Sequence, residues 1–429
     1  MPRLAELQEA LRAGGGGRAL AELYPRRPGA LEKQEARYGA LLERFAATFP
    51  GAGEASFFSA PGRTEIGGNH TDHNAGRVLA AAVDLDAVAL ASANDRPRIT
   101  VVSEGYAPIV VDLDDLQPRT AERYQPAALI RGICAGFAAQ KHGIGGFDAV
   151  VQSEVPRGSG LSSSACFEVL VATVLNHLYN EGRLDPVAVA RIAQHAEVEY
   201  FGKPVGLMDQ TTCAVGGFVT IDFADPAAPA VAGVDFDFAA SGYALVITDT
   251  GGSHADLNEE YAAVAGEMRA VAAALGGRVL RDCSPADLLR ALPDLRAKAG
   301  DRALLRALHY YGDNERVSRQ VAALQAGDFP LFLRLVVESG RSSYMYLQNC
   351  YVPGRAREQP VALGLALSER ILADRGAWRV HGGGFAGTIQ AFVPQDLLPE
   401  YLLEMRRTFG ADACHVLAIR AAGAVRVEI

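Results

Sequence analysis

Asp209 lies inside the apolar turn Gly206-Leu-Met-Asp-Gln210, a setting in which a carboxylate either caps a helix or performs chemistry. Earlier in the chain, Pro156-Arg-Gly-Ser-Gly-Leu-Ser-Ser-Ser-Ala165 stands between a β-rich run and an apolar helical pattern. Gly158 and Gly160 permit backbone conformations that a Cβ resists. Ser162, Ser163 and Ser164 then place unpaired N–H groups and hydroxyls at the positive end of a helix dipole. With Ser159 and Leu161 between the glycines and serines, Gly158 to Ser164 form a loop suited to a phosphate. A serine-capped strand-to-helix turn is the plain alternative. The preceding proline, the triple serine and the long apolar helix that follows favour the phosphate. No lysine follows the glycines, so the loop is not a Walker A.

A second concentration of polar groups, Arg63, Asn69, His70, Asp72 and His73, lies between runs that read as strands. Arg, His and Asp gathered beside a structured strand point to a ligand pocket rather than a solvated turn. His70-x-x-His73 lacks a third ligand at diagnostic spacing, which argues against zinc. Gly382, Gly384 and Gly387 satisfy G-x-G-x-x-G literally. A dinucleotide site needs a helix after those glycines, and Thr388–Val393 is β-rich instead.

Positioning these groups requires strands and helices in turn. Gly146–Glu154 reads as the strand that enters the phosphate loop, and Phe167, Leu170, Val171, Val174 and Leu175 set helical spacing to about Asn180. Asp185–Gly202 is a further helix carrying Glu197, which by itself reads as a solvated charge. Strand-like runs fall at Ala87–Ser92, Ile99–Ser103, Ile109–Leu113 and Gly216–Phe223. The second half opens with a strand at Tyr243–Thr248 and a helix at Asp256–Leu275 that carries Tyr261. Helices at about 299–325, 329–346 and 359–375 follow, then a strand, glycine turn and strand over 378–393. A helix at Glu400–Phe409 and strands at Cys414–Ile419 and Ala424–Ile429 close the chain. Residues 1–54 read as a helical extension with a flexible joint at Gly14–Gly17 and no assigned chemistry. Ala227-Ala-Pro-Ala230 reads as a linker, dividing 55–230 from 231–429.

Composition narrows the possibilities. At 429 residues with 49% hydrophobic content, the chain can bury large cores in two domains. A formal charge of −9 argues against nucleic-acid binding. Six scattered cysteines without a Cys-x-x-Cys pair fit reduced thiols. The N-terminus lacks the apolar core of a signal peptide, and no apolar run reaches the roughly 18 residues of a membrane span. A cytoplasmic protein without a membrane partner is expected, with a monomer favoured.

Three stretches, in order, resemble the GHMP small-molecule kinase superfamily and specifically its galactokinase family. They are Pro61-Gly-Arg-Thr-Glu-Ile-Gly-Gly-Asn-His-Thr-Asp-His73, Pro156–Ala165 and Gly382-Gly-Gly-Phe-Ala-Gly387. The resemblance runs from about residue 55 to the end. It implies a two-domain α+β fold: a mixed-sheet and helix N-terminal domain with the phosphate loop, and a ferredoxin-like C-terminal α/β sandwich. The active site is expected in the cleft between them. The implied reaction is ATP-dependent phosphorylation of the C1 hydroxyl of α-D-galactose, with Mg²⁺ as cofactor.

By position, the resemblance places the catalytic aspartate on Asp209 and the catalytic arginine on Arg63. It places magnesium ligands on Ser164 and Glu197, and the ATP phosphates on Gly158–Ser164. Sugar contacts fall on Arg63, Asn69, His70, Asp72, the backbone near Gly206, Asp209, and Tyr261 after His254. One departure stands out: the family's Gly-Glu-His-Thr-Asp-Tyr is here Gly68-Asn-His-Thr-Asp-His73. Asn69 brings no charge to the hydroxymethyl end of the sugar, which admits galacturonate or L-arabinose as alternatives. A catalytically silent galactose and ATP sensor is a further alternative, opposed by the intact Ser162–Ala165, Glu197 and Asp209.

Overall fold

The computed structural model describes residues 2–24, 29–156, 158–252 and 257–429. Its strands are β1 (Ser56–Gly67), β2 (Arg77–Ala93), β3 (Arg98–Ser103), β4 (Ile109–Asp112), β5 (Phe147–Ser153), β6 (Phe218–Asp222), β7 (Ala230–Val234), β8 (Tyr243–Asp249), β9 (Ala377–Val380), β10 (Thr388–Pro394), β11 (Cys414–Leu417) and β12 (Val425–Val427). They form an eight-stranded sheet, in order β12-β1-β2-β5-β3-β4 with β6 and β7 branching from β2, and a four-stranded sheet in order β11-β8-β10-β9. Among the described residues only β3 and β5 pair in parallel, so the large sheet is mixed.

β2 is long enough to serve two partners. Its first half, Arg77–Ala81, pairs with β6, and its second half, Ala87–Ala93, pairs with β5. β1 follows it along nearly its whole length, with register shifts at Pro61/Arg63 and Glu65/Gly67. Pro61 cannot donate to a ladder and is tolerated at such an irregularity, which also re-aims Arg63. The helix Ser163–Tyr179 covers this sheet and is buried around most of its circumference, from Ala165 through Asn176. That explains its weakly one-sided apolar pattern.

The small sheet has the strand order of a ferredoxin-like half, with the helix Leu398–Phe409 connecting β10 to β11. Phe58 and Val83 of the large sheet share one apolar core with Leu245, Ile247 and Phe392 of the small one. The boundary expected at 230/231 does not separate the sheets. β7, from Ala230, pairs with β6, and β12 returns to β1 across Phe57–Ser59.

Two local readings change. The helix expected over 185–202 is an α-helix at Pro186–His195 followed by a π-helical turn at Ala196–Phe201. Asp185 caps its start, accepting from Val187 and Ala188 N–H at 2.9 Å each. A helix at Pro285–Ala299 also escaped the sequence reading, although Ser284 caps it through Asp287 N–H at 3.1 Å.

The described residues of the N-terminal stretch, 2–24 and 29–54, are a packed part of the molecule. Helices Leu4–Arg12, Gly17–Leu23 and Ala30–Thr48 bury Leu20, Tyr38 and Phe45 against Phe57, Leu90 and Val150. The expected joint at Gly14–Gly17 is a hydrogen-bonded turn, with Gly14 N–H to Leu11 O at 3.1 Å and Gly17 N–H to Gly14 O at 3.0 Å. Beneath it, Asp86 is fully buried and takes Arg37 Nη1 at 2.6 Å, Tyr24 Oη at 2.7 Å and Arg420 Nη1 at 3.0 Å. Burial would raise the Asp86 carboxyl, but the guanidiniums of Arg37 and Arg420 hold it below its usual value. No described helix is long and apolar enough to cross a membrane.

Candidate active site

The phosphate loop passes over β1 at Gly62, where a Cβ would stand 2.9 Å from Leu161 O. Arg63 N–H bonds the same carbonyl at 3.1 Å, so strand and loop are fixed to each other. Gly158 and Gly160 have φ of +74° and +73°, the left-handed region that glycine enters without strain. Ser162 joins them at φ +56° as the residue before the helix. Ser159 is buried and bonds Pro156 O at 2.8 Å, which closes the turn. Among the described residues, the backbone N–H groups from Gly158 to Ala165 have no acceptor. Converging free amides at a helix N-terminus are an anion site.

Asp209 sits in the first turn of the helix Met208–Val215. Its two oxygens meet Arg63, Oδ1 from Nε at 2.7 Å and Oδ2 from Nη2 at 2.6 Å. The Ser162 hydroxyl also donates to Oδ2, and Arg63 Nη1 donates to Gly160 O. Burial pushes the Asp209 carboxyl up, but Arg63 outweighs it and holds the group below its ordinary range. An ionised carboxylate thus lies against the phosphate loop, held by a bidentate arginine.

Ser164 and Glu197 come together as expected, with Oγ to Oε1 at 3.3 Å. Glu197 is not a solvated charge: it is 2% exposed, and Lys203 Nζ approaches it at 3.4 Å. Both are hard oxygen donors of the kind magnesium takes. No cluster of three His, Cys, Asp or Glu side chains among the described residues suits a metal. A magnesium ion here would rest on two protein oxygens, the remainder coming from phosphate and water, as is usual for this ion.

Asp72 Oδ2 lies 2.9 Å from where a Cβ on Gly206 would stand, so that glycine allows the two loops to meet. His70 Nε2 bonds Gly383 O at 2.9 Å and Tyr261 Oη donates to Gly384 O at 3.0 Å. The Tyr261 ring also lies 2.6 Å from the place of a Cβ on Gly383, so the 382–384 turn is held beneath it. Burial, reinforced by His73, pushes the His70 imidazole down to about 4 and keeps it neutral. The expected His254 lies outside the described residues.

Asn69 is placed differently from the expectation. It is fully buried, with Nδ2 donating to Glu65 Oε1 at 3.0 Å and to Gly382 O at 2.8 Å. Its Oδ1 accepts from Asn349 Nδ2 at 2.8 Å and Ser343 Oγ at 3.2 Å. Its N–H reaches Asp313 Oδ2 at 2.8 Å and its carbonyl accepts from His309 Nε2 at 2.9 Å. Every polar atom of Asn69 therefore serves the protein, and it acts as a latch between β1 and the glycine turn.

The sequence reading missed the groups around that latch. Arg379, fully buried, bonds Glu65 Oε1 at 2.7 Å. Thr64 accepts from Gln390 Nε2 at 2.6 Å and meets His381 Nε2 at 3.0 Å, tying the two sheets together. Burial, with Arg63 and Arg379 nearby, drives His381 down to about 3. Nothing in the sequence linked Glu65 to Arg379, 314 residues away.

Two family patterns match the chain: "GHMP kinases N terminal domain" over residues 128–217 and "Galactokinase galactose-binding signature" over residues 43–93. The signature begins within the third N-terminal helix, earlier than the expected residue 55. Two layers of helix and sheet, with a glycine-serine loop facing an arginine-held aspartate, define a GHMP-type small-molecule kinase. A galactokinase of Streptomyces coelicolor is 34% identical over 359 residues, 82% of this chain and 88% of its own. The chain belongs to the galactokinase family. In fold, it resembles a Lactococcus lactis galactokinase solved with galactose (TM-score 0.76, 23% identity, covering 91% of this chain and 100% of that one). It also resembles the mevalonate kinase of Methanococcus jannaschii (TM-score 0.61, 13% identity, covering 85% and 98%).

Proposed function

We propose that this chain transfers the γ-phosphoryl group of ATP to the anomeric hydroxyl of α-D-galactose, giving galactose 1-phosphate and ADP. The observation that carries the reading is the ionised Asp209, gripped by Arg63, directly against a loop whose amides have no acceptor among the described residues. Asp209 accepts the hydroxyl proton as the new O–P bond forms and the bond from phosphorus to the ADP oxygen breaks. Arg63 orients the carboxylate, and Gly158–Ser164 hold the phosphates. Ser164 and Glu197 would hold magnesium, which offsets charge on the phosphate oxygens.

His70, Asp72, the Gly206 backbone and Tyr261 are proposed to contact the sugar hydroxyls: Asp72 meets the Gly206 turn that leads to Asp209, and His70 and Tyr261 both bond the 383–384 turn. Asn69 is proposed to support that wall from behind. With its amide occupied by protein groups, Asn69 gives no separate ground for galacturonate or L-arabinose. An assay of ADP release across galactose, galacturonate and L-arabinose tests the reading. Galactose should give the highest kcat/KM, and turnover of galacturonate without galactose would overturn it.

A further inference from the structure

Gln210 follows Asp209 in sequence, and its side chain is fully buried. Its Nε2 donates to Glu197 Oε2 at 2.7 Å and to Glu168 Oε2 at 3.0 Å. Glu168 is itself fully buried, on the helix that follows the phosphate loop. Among the described residues, its second oxygen, Oε1, has no partner, and neither has Gln210 Oε1. Two buried carboxylates therefore share a single amide donor, beside the Ser164–Glu197 pair.

This arrangement is costly unless it does something. Buried carboxylates near each other repel, and buried acceptors without donors are uncommon in folded proteins. The amide bonds both carboxylates, and its backbone is continuous with the base. It joins three elements: the π-helical turn carrying Glu197, the helix carrying Glu168, and the helix carrying Asp209. Glu197 has two free directions, one for Ser164 and Lys203 through Oε1 and one for Gln210 through Oε2. Fixing Oε2 from behind leaves Oε1 as the oxygen presented toward Ser164.

We infer that Gln210, backed by Glu168, is a positioning residue that clamps Glu197 in its metal-ligating orientation and ties the metal site to the helix bearing Asp209. The inference rests on the proposed magnesium role of Ser164 and Glu197. Groups that orient a metal ligand from behind commonly change affinity 10–100-fold when lost.

The test uses full-length protein with a non-hydrolysable ATP analogue and Mn²⁺ as the probe, its binding read by electron paramagnetic resonance. Gln210→Met, close in shape but without donors, should weaken Mn²⁺ binding at least about tenfold. Analogue binding in EDTA and the KM for galactose should stay within about twofold of wild type, a split that general damage would not give. Glu197→Gln separates the two readings. If it leaves Mn²⁺ affinity unchanged, the metal reading itself fails. If it weakens Mn²⁺ while Gln210→Met does not, the clamp alone is overturned. Should Gln210→Met not fold, Gln210→Asn keeps the amide but withdraws it from both carboxylates, and unchanged Mn²⁺ affinity in that variant overturns the clamp equally.

Discussion

Arg63 and Asp209 stand 146 positions apart and meet through two parallel hydrogen bonds of 2.7 and 2.6 Å. One comes from an irregular point in a strand and the other from the first turn of a helix. Their pairing joins the sugar-signature strand, the phosphate loop and the proposed base in one unit.

Asp209→Asn keeps the shape of the side chain and removes its basicity. Turnover should fall by about 10²–10⁴-fold. ATP binding should change little, because the loop amides are untouched. Steady-state kinetics with a separate nucleotide titration checks both, and near wild-type turnover would remove Asp209 from the role of base.

Arg63→Met tests the electrostatics. In the native protein burial raises the Asp209 carboxyl and Arg63 more than offsets it, so the group stays ionised well into acid. The ion pair contributes stability above the unfolded carboxyl value of about 3.9, and loses it as pH falls through the lower folded value. Without Arg63, burial is opposed by the Ser162 hydroxyl and the more distant Lys203, and the carboxyl moves up. The acid limb of the residual kcat/KM should shift to higher pH, alongside a large loss of rate. An acid limb at the same pH in both proteins contradicts the assignment.

Asn69→Glu restores the residue of the family pattern but puts a second carboxylate where Glu65 lies 3.0 Å away. It would also set an acceptor against Gly382 O. An uncompensated buried charge costs about 3–5 kcal/mol. Denaturant unfolding should show a loss of that order, and Glu65→Gln in the same chain should recover part of it. An Asn69→Glu protein as stable as wild type would show that the latch is not constrained by Glu65.

The N-terminal helices should matter to the stability of the whole chain. Arg37→Met leaves buried Asp86 with Arg420 as its remaining cationic partner, and the expected cost is again about 3–5 kcal/mol. Lys33→Ala removes the exposed Lys33 end of a pair with the partly buried Glu154, which keeps Arg37 nearby, and should cost under about 1 kcal/mol. Melting temperatures of the two variants make the comparison.

The sequence by itself determined what is local. The order and type of most elements followed from apolar spacing, and the phosphate loop followed from glycine and serine chemistry at a strand-to-helix junction. Asp209 was conspicuous because a carboxylate in an apolar turn is expensive without a purpose. Only the tertiary structure decided which groups face one another. Asn69 became a latch because Glu65, Asn349 and the Gly382 carbonyl converge on it from distant parts of the chain. Glu197 changed from a surface charge to a buried one, and Gln210 acquired two carboxylates on one amide. The N-terminal extension became part of the fold through Asp86. These relationships depend on burial and on hydrogen bonds between residues tens to hundreds of positions apart, for which spacing along one chain leaves no trace.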